Sequence, residues 1–387
     1  MSGETTMESS GPLSGLTVVE LGHSVAAPFG GQTLAILGAR VIKVENPING
    51  DDARSWGPPF WEGASACFQS LNREKLSITV DFKDSEQLED LKRLIDTEAD
   101  IVVQNQRPGL LQRFGLDGKS LRSSKPSLIY CNIGAFGAEG PLRSKPGYDP
   151  LMQAFSGIMS ITGEEGREPV RVGPSIIDIA AGMWSCIGLL AALHERNQTG
   201  IGCEVDTSLY ETALAWMTVP SAMHLASGTV PARTGSEVGM LAPYKVYRAA
   251  DDYLVIAAGN DNLFGRLCDV LGVPEWKADH RFASNPERVN NRKVLNESIQ
   301  DIIAQESRDD WIRRLDEGGV PNTPLQSLDQ VVKHPQTKAL GMLQKSPDSG
   351  MTLMGVPLSF NGTRPGYTQN PPQLGEHNRS VLKQDTD

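Results

Sequence analysis

Basic residues are the minority charge in this chain: 36 Lys and Arg stand against 47 Asp and Glu, a formal net charge of −11 over 387 residues. A protein that condenses on nucleic acid needs the opposite balance. No basic block with interleaved aromatics compensates locally, so no nucleic-acid partner is expected. Cysteine is also scarce. The five cysteines, at 67, 131, 186, 203 and 268, are odd in number, widely spaced and never in C-x-x-C, which argues against a disulfide frame or a cysteine zinc site. The six histidines never fall in H-x-x-x-H or H-E-x-x-H spacing, so no metal is expected. Long apolar runs are missing too: the longest candidate, from Ile179, contains Ala and Gly and is closed by His194-Glu195-Arg196, so no membrane partner is expected. The opening MSGETTMESSGPLSG has neither the basic start nor the apolar core of a leader. Residues 1–12 read as a short disordered tail, and the expected location is cytoplasmic.

Several catalytic signatures are absent as well. There is no P-loop and no G-x-S-x-G elbow. After the first strand the chain reads Gly22-His-Ser-Val-Ala-Ala rather than G-x-G-x-x-G, so the close pyrophosphate approach of a dinucleotide site is missing.

What remains is an ordinary globular balance, 39% hydrophobic and 21% charged, with length for two or three domains. The runs LTVVEL, RVIKVE, SITVDF, DIVVQN and SLIYCNIG are short, β-branched and separated by helical stretches. That alternation predicts an α/β fold: a Rossmann-like parallel sheet with ligands at the carboxyl ends of its strands. Further helices are expected at 147–160 and 178–197. Near Gly228 the texture changes to a Gly/Pro loop, a hairpin around Asp251-Asp252 and helices at about 261–272, 290–305 and 308–317. The expected organisation is a large domain over 13–227, a smaller α+β domain over 228–325, and a return to the large domain over 326–387. LGMLQK and MTLMGVPLSF are candidate strands of that return.

One residue poses a question. Asp178 stands among Ile176, Ile177 and Ile179 at the mouth of the apolar run, and a carboxylate there must be capping a helix, paired or working. Ser175 and Asp178 fit the S-x-x-D capping pattern, so a cap is the local reading. Elsewhere, Arg54, Lys75, Lys83, Arg107, Arg113, Arg143 and Lys145 recur just after strands of an acidic chain, as a polyphosphate-bearing ligand would require.

The blocks LSGLTVVELGHSVAAPFGGQTLAILGARVIKVENP, N-R-x-K-x-S-I-x-V-D-F-K, N-x-R-P-G-x-L-x-R-F-G, GYDPLMQAFSGIMSITG, PVRVGPSIIDIAAG and LGEH, in this order, closely resemble the family III CoA-transferases, the CaiB/BaiF family. GDDARSWGPPF and PYKVYRAADDYLVIAAGNDNLF look most like its dicarboxylate branch. The resemblance implies a Rossmann-like large domain built from both chain ends, a small middle domain, and a homodimer of interlocked subunits. It places the family's nucleophile on Asp178. It places CoA contacts on His23, Val25, Ala26, Val80, Lys83, Asn105, Gln106, Arg107, Arg113, Lys145, Tyr148 and Asp149. Asn46 and Pro146 stand where some members carry cations.

The activity so implied moves CoA from an acyl-CoA, succinyl-CoA first, to a small dicarboxylate. The thioester is a substrate, and no permanently bound cofactor is expected. Arg233, with Gly235 beside it on a 229–241 loop that reads either as a lid or as an ordinary interdomain linker, is the first candidate anchor for the acceptor's distal carboxylate, with Arg171 and His23 as alternatives. An ordinary aspartate is almost wholly ionised at pH 7, so the nucleophile is expected to need no partner base. Two alternatives stand beside this reading. An acyl-CoA racemase of the same superfamily carries GHD where Gly147-Tyr148-Asp149 stands, and a non-catalytic CoA-binding protein would have no use for Asp178.

Overall fold

Strands rich in Val and Ile at successive positions can be buried on both faces, which is what a parallel sheet between two helix layers requires. In the computed structural model, which describes residues 11–382, such runs form a six-stranded, wholly parallel sheet. Its strands are β1 Thr17–Glu20, β2 Arg40–Glu45, β3 Lys75–Thr79, β4 Ile101–Gln104, β5 Ile129–Gly134 and β6 Glu204–Ser208. They lie in the order β3-β2-β1-β4-β5-β6, so the direction of winding reverses between β1 and β4. Residues 1–10 of the expected tail lie outside the described residues. Strand β6 escaped the sequence reading because EVDTS alternates charged with small residues, as a half-exposed edge does.

Four helices position the site: α1 Ala26–Ile36, α2 Ser85–Glu98, α3 Asp149–Phe155 and α4 Ile176–Thr199. One core cluster joins Val18, Val41, Ile101 and Ile129 to Leu34 of α1 and to Ile177, Ala181 and Leu189 of α4. On the other face Val19, Ile42, Val102 and Tyr130 pack on Leu91, Leu94 and Ile95 of α2. Helices α1 and α4 cross backbone to backbone. A Cβ at Gly182 would stand 2.7 Å from the Ala26 carbonyl oxygen, and one at Gly30 would stand 2.8 Å from Ser185 Oγ. Helix α4 is long and apolar enough to cross a membrane by length and composition, and half of its apolar window is buried inside the protein.

The chain divides into two compact units. The first comprises, of the described residues, 11–158, 172–226 and 335–382. Its last segment lies along the outer edge of β3: Glu74 N–H donates to the Gln369 carbonyl, His377 N–H to the Ser77 carbonyl, and Thr79 N–H to Asn378 Oδ1 at 2.8 Å. Leu343–Lys345 and Thr352–Met354 form a two-stranded sheet of their own rather than joining β3.

The second unit comprises Met159–Arg171 and Ser227–His334. Strands β7 Tyr244–Arg248, β8 Tyr253–Ala257 and β9 Asn322–Pro324 form an antiparallel sheet in the order β9-β8-β7. Helices α5 Asp261–Leu271, α6 Arg292–Ile303 and α7 Arg308–Glu317 close its core around Phe264, Phe282, Ile299 and Trp311. Asn260 caps α5 by accepting from Leu263 N–H at 2.8 Å. Against the expected limits of 228 and 325, this unit runs on to His334 and also claims the 159–171 segment, whose Gly163 carbonyl accepts from Gly235 N–H at 2.9 Å.

Candidate active site

Helix α4 begins with a serine that does not cap it. Ser175 makes no side-chain cap, and the free N–H groups of Ile177 and Asp178 donate instead to one oxygen, Asp149 Oδ2, at 2.7 and 3.2 Å. Asp149 Oδ1 accepts from Gln153 Nε2 at 2.6 Å, and Gln153 in turn accepts from Val172 N–H at 2.8 Å. A buried carboxylate from the start of α3 therefore does the capping that Ser175-x-x-Asp178 suggested locally. Asp149, expected as a CoA contact, has both carboxylate oxygens engaged and is 1% exposed.

Asp178 is thereby released from that task. Among the described residues no side-chain hydrogen bond and no ion pair holds its carboxylate. It lies one helical turn before Gly182, which rests on Ala26, so the close helix crossing sets Asp178 beside the start of α1. Burial, and then the neighbouring Asp149 carboxylate, push its carboxyl up to about 7. The expectation of an ordinary, wholly ionised aspartate is corrected on that ground. Cys67 is close enough that, after burial, Asp51 and Asp178 both raise its thiol.

The turn that leads from β1 into α1 is pinned on every side. His23 N–H donates to Asn105 Oδ1 at 2.9 Å and the His23 carbonyl accepts from Asn105 Nδ2 at 2.8 Å. The Leu21 carbonyl accepts from Gln106 Nε2, the Gly22 carbonyl from Lys43 Nζ, and Ser24 N–H donates to Asp51 Oδ1. Ser24 itself sits at φ 69°, in the left-handed region. His23 is held below its usual range by burial, a tendency that the Asp51 carboxylate opposes. Asn105 and Gln106 thus reach the site as clamps on the turn's backbone.

Of the other expected contacts, Val25, Ala26 and Val80 are buried at 8, 3 and 3% exposure, which leaves a ligand their backbone groups at most. Lys83, Arg107, Arg113, Lys145 and Tyr148 are exposed. Arg107 and Gln106 line a cavity of about 440 Å³ at the carboxyl ends of β4, β5 and β6, together with Gln104, Asn132, Arg143 and Asp206. Asp178 lies outside that lining.

Arg233 and Gly235 belong to the second unit. Arg233 donates to the carbonyls of Glu164 and Arg167 at 3.4 and 2.8 Å, so its guanidinium orders the 163–167 loop rather than standing free for a carboxylate. Gly235, at φ 62°, lies so close to Glu164 that a Cβ there would stand 2.4 Å from its carboxylate.

The sequence reading missed a cluster of charges beneath the His23 turn. Lys43 Nζ reaches Glu20 Oε1 and Asp51 Oδ2, both at 2.8 Å, and Lys75 Nζ reaches Glu20 Oε2 at 2.8 Å; all four side chains are at most 1% exposed. Beside them Arg54 clasps Glu45 through Nε and Nη2 at 2.8 and 2.7 Å, so Lys75 and Arg54, expected among the cations for a polyphosphate-bearing ligand, are engaged by internal carboxylates instead. The available signal was a lysine in the middle of RVIKVE, an otherwise apolar buried strand.

A parallel sheet with its switch point at β1 and β4, and an unpaired carboxylate beside it, is common to many chemistries, and comparison with known proteins narrows the choice. Residues 13–378 match the family model described as CoA-transferase family III. The chain is 38% identical to the succinate–glutarate CoA-transferase of Agrobacterium fabrum, over 96% of this chain and 95% of that protein. It is 36% identical to the acetyl-CoA:oxalate CoA-transferase of Acetobacter aceti, over 99% and 98% of the two chains. The crystal structure of a CaiB/BaiF family protein from Brucella suis, 40% identical, matches it with a TM-score of 0.86 over 96% of this chain and 99% of that one. The chain belongs to the family III CoA-transferases.

Proposed function

We propose that this CoA-transferase moves CoA from succinyl-CoA to a small dicarboxylate, with the Asp178 carboxylate as nucleophile. The observation that carries this reading is that Asp178 is half-buried although Asp149 does the capping and, among the described residues, no cation pairs with it. A carboxylate without a structural task in a desolvated place is costly to keep and is a candidate for chemistry. The names of the relatives, which act on glutarate and oxalate, support the substrate class.

The steps conserve charge without a proton. Asp178 attacks the thioester carbonyl, the C–S bond breaks, and an aspartyl mixed anhydride forms with CoA thiolate as the leaving group. The thiolate attacks the aspartyl carbonyl, releases the donor's carboxylate and leaves an aspartyl-CoA thioester. The acceptor carboxylate attacks that carbonyl and expels the thiolate. The thiolate then takes the new acyl group and frees Asp178. The N–H groups at the mouth of α1 are the proposed surroundings for the developing oxyanions. Exposed Lys83, Arg107, Arg113 and Lys145 are proposed to meet the nucleotide end of CoA.

A second copy of the chain is proposed as the partner. Met183, Trp184, Ile187 and Leu190 are 51, 48, 54 and 41% exposed on one side of α4, and Trp216, Val219 and Met223 are exposed as well. A soluble monomer rarely leaves such a face uncovered, and interlocked subunits would cover it. Sedimentation of the parent protein checks this.

Incubating the enzyme with succinyl-CoA and no acceptor, then adding hydroxylamine, tests the chemistry. The expected result is a hydroxamate on the peptide carrying Asp178. An unmodified Asp178 peptide under conditions of active turnover would remove the covalent route.

A further inference from the structure

We infer that the buried Lys43–Asp51 pair is a positioning device for acyl-CoA: it holds the turn at Leu21–Ser24 in the one backbone shape that receives the ligand. This rests on the proposed function, with acyl-CoA received at the carboxyl ends of β1 and β4.

Five backbone groups of this short turn are held by four side chains: Gln106 on the Leu21 carbonyl, Lys43 on the Gly22 carbonyl, Asn105 on both polar groups of His23, and Asp51 on Ser24 N–H. Ser24 is in the left-handed region with a Cβ in place, a shape the turn would leave unless something held it. Asp51 Oδ1 holds it at 2.9 Å, and Lys43 holds Asp51 through Oδ2 at 2.8 Å. One ammonium thus bonds to the Gly22 carbonyl and steers the acceptor of Ser24 N–H, fixing both sides of His23. Asp51 also accepts from Ala53 N–H, and its own N–H donates to Glu45, so its carboxylate cannot swing away.

The device stands apart from ordinary stabilisation. Burying Lys43, Glu20, Asp51 and Lys75 beneath a short turn is an inefficient way to gain stability, because desolvation offsets most of the attraction. What such a cluster supplies is a single geometry. The turn lies at the reversal of strand order, where open parallel sheets receive ligands. Lys75 offers an internal control: it shares Glu20 with Lys43 but bonds the Pro28 carbonyl and Asn72, away from the turn.

The test compares Asp51→Asn with Lys75→Met in the full-length protein, measuring succinyl-CoA and acceptor kinetics and calorimetric binding of free CoA. Asp51→Asn is expected to raise the succinyl-CoA KM and the CoA Kd at least tenfold, with kcat within threefold and the acceptor KM unmoved. Lys75→Met is expected to melt lower with both CoA constants unchanged. If Asp51→Asn does not fold, Asp51→Glu keeps a charge opposite Lys43 while displacing the oxygen that meets Ser24, and the same rise is expected. CoA constants within twofold of the parent in a folded Asp51 variant, or an equal rise in Lys75→Met, would overturn the inference while leaving the proposed function standing. A parent protein that binds no CoA would overturn both.

Discussion

Two groups of buried carboxylates in the first unit are treated in opposite ways. Beneath the His23 turn, Glu20, Glu45 and Asp51 are each matched by a cation, Lys43, Lys75 or Arg54. Burial would raise Asp51 and Glu45, but Lys43 and Arg54 and the donors around them outweigh it and hold both below the usual range. At the start of α4, Asp149 receives backbone and amide donors only, and among the described residues the Asp178 carboxylate receives none, so burial and then Asp149 raise it to about 7. The lesson is one of placement. The three carboxylates beneath the turn each have a cation, whereas Asp149 is satisfied by neutral donors and so brings no cation near Asp178, the proposed nucleophile.

The comparison breaks most visibly at Asp178. Asp178→Asn is expected to lower transfer by at least about 10³-fold, since the nucleophile is gone while the shape is kept. The same variant sharpens the point in its stability. Native Asp178 holds its proton to about 7 while an unfolded aspartate releases it near ~3.9, so the parent loses stability as pH rises between those values. The variant should therefore melt above the parent at pH 8 and converge with it near pH 4; a lower melting temperature at pH 8 would show that the carboxylate is stabilised after all.

Lys43→Met attacks the other group. Removing the shared cation leaves Glu20 and Asp51 underpaired and is expected to lower the unfolding free energy by about 3–5 kcal/mol, read by urea titration. A neutral result would mean that water reaches the cluster. Asp149→Asn should move the acid limb of kcat/KM, which follows ionisation of Asp178, to lower pH by about one unit, because it removes the like charge and leaves burial. An unmoved limb would leave burial as the whole cause. Smallest of all, Arg113→Ala should raise the succinyl-CoA KM by about threefold at low salt and less at high salt, as befits an exposed cation. A loss insensitive to salt would place Arg113 in a desolvated contact instead.

Much of the fold was legible because its signals are local. RVIKVE and DIVVQN declare buried strands by composition, and the order of strands and helices then leaves few topologies. The cap of α4 was misread because S-x-x-D satisfies a local rule while the actual acceptor, Asp149, lies 29 residues from Asp178 in sequence. Arg233 was misread for a similar reason: the carbonyls that claim it are 66 and 69 residues away. Asp178 was singled out by its apolar neighbours and by the family motif around it. Its raised carboxyl was not foreseeable, since burial and the distance to Asp149 exist only in the folded chain.

The strip of chain that covers β3 has a consequence for how the protein is made. Asn378 and Thr79 are 299 positions apart, so the edge of β3 keeps its bare N–H groups until those later residues have been made. At ordinary rates of translation that interval is roughly 15–60 s. An uncovered parallel edge is a template for the strands of other nascent chains. The second unit's long 227–334 segment emerges whole in the meantime. The first unit therefore spends its synthesis exposed to mispairing, and a premature stop before Gln369 would release a chain with a full sheet and a permanently sticky border.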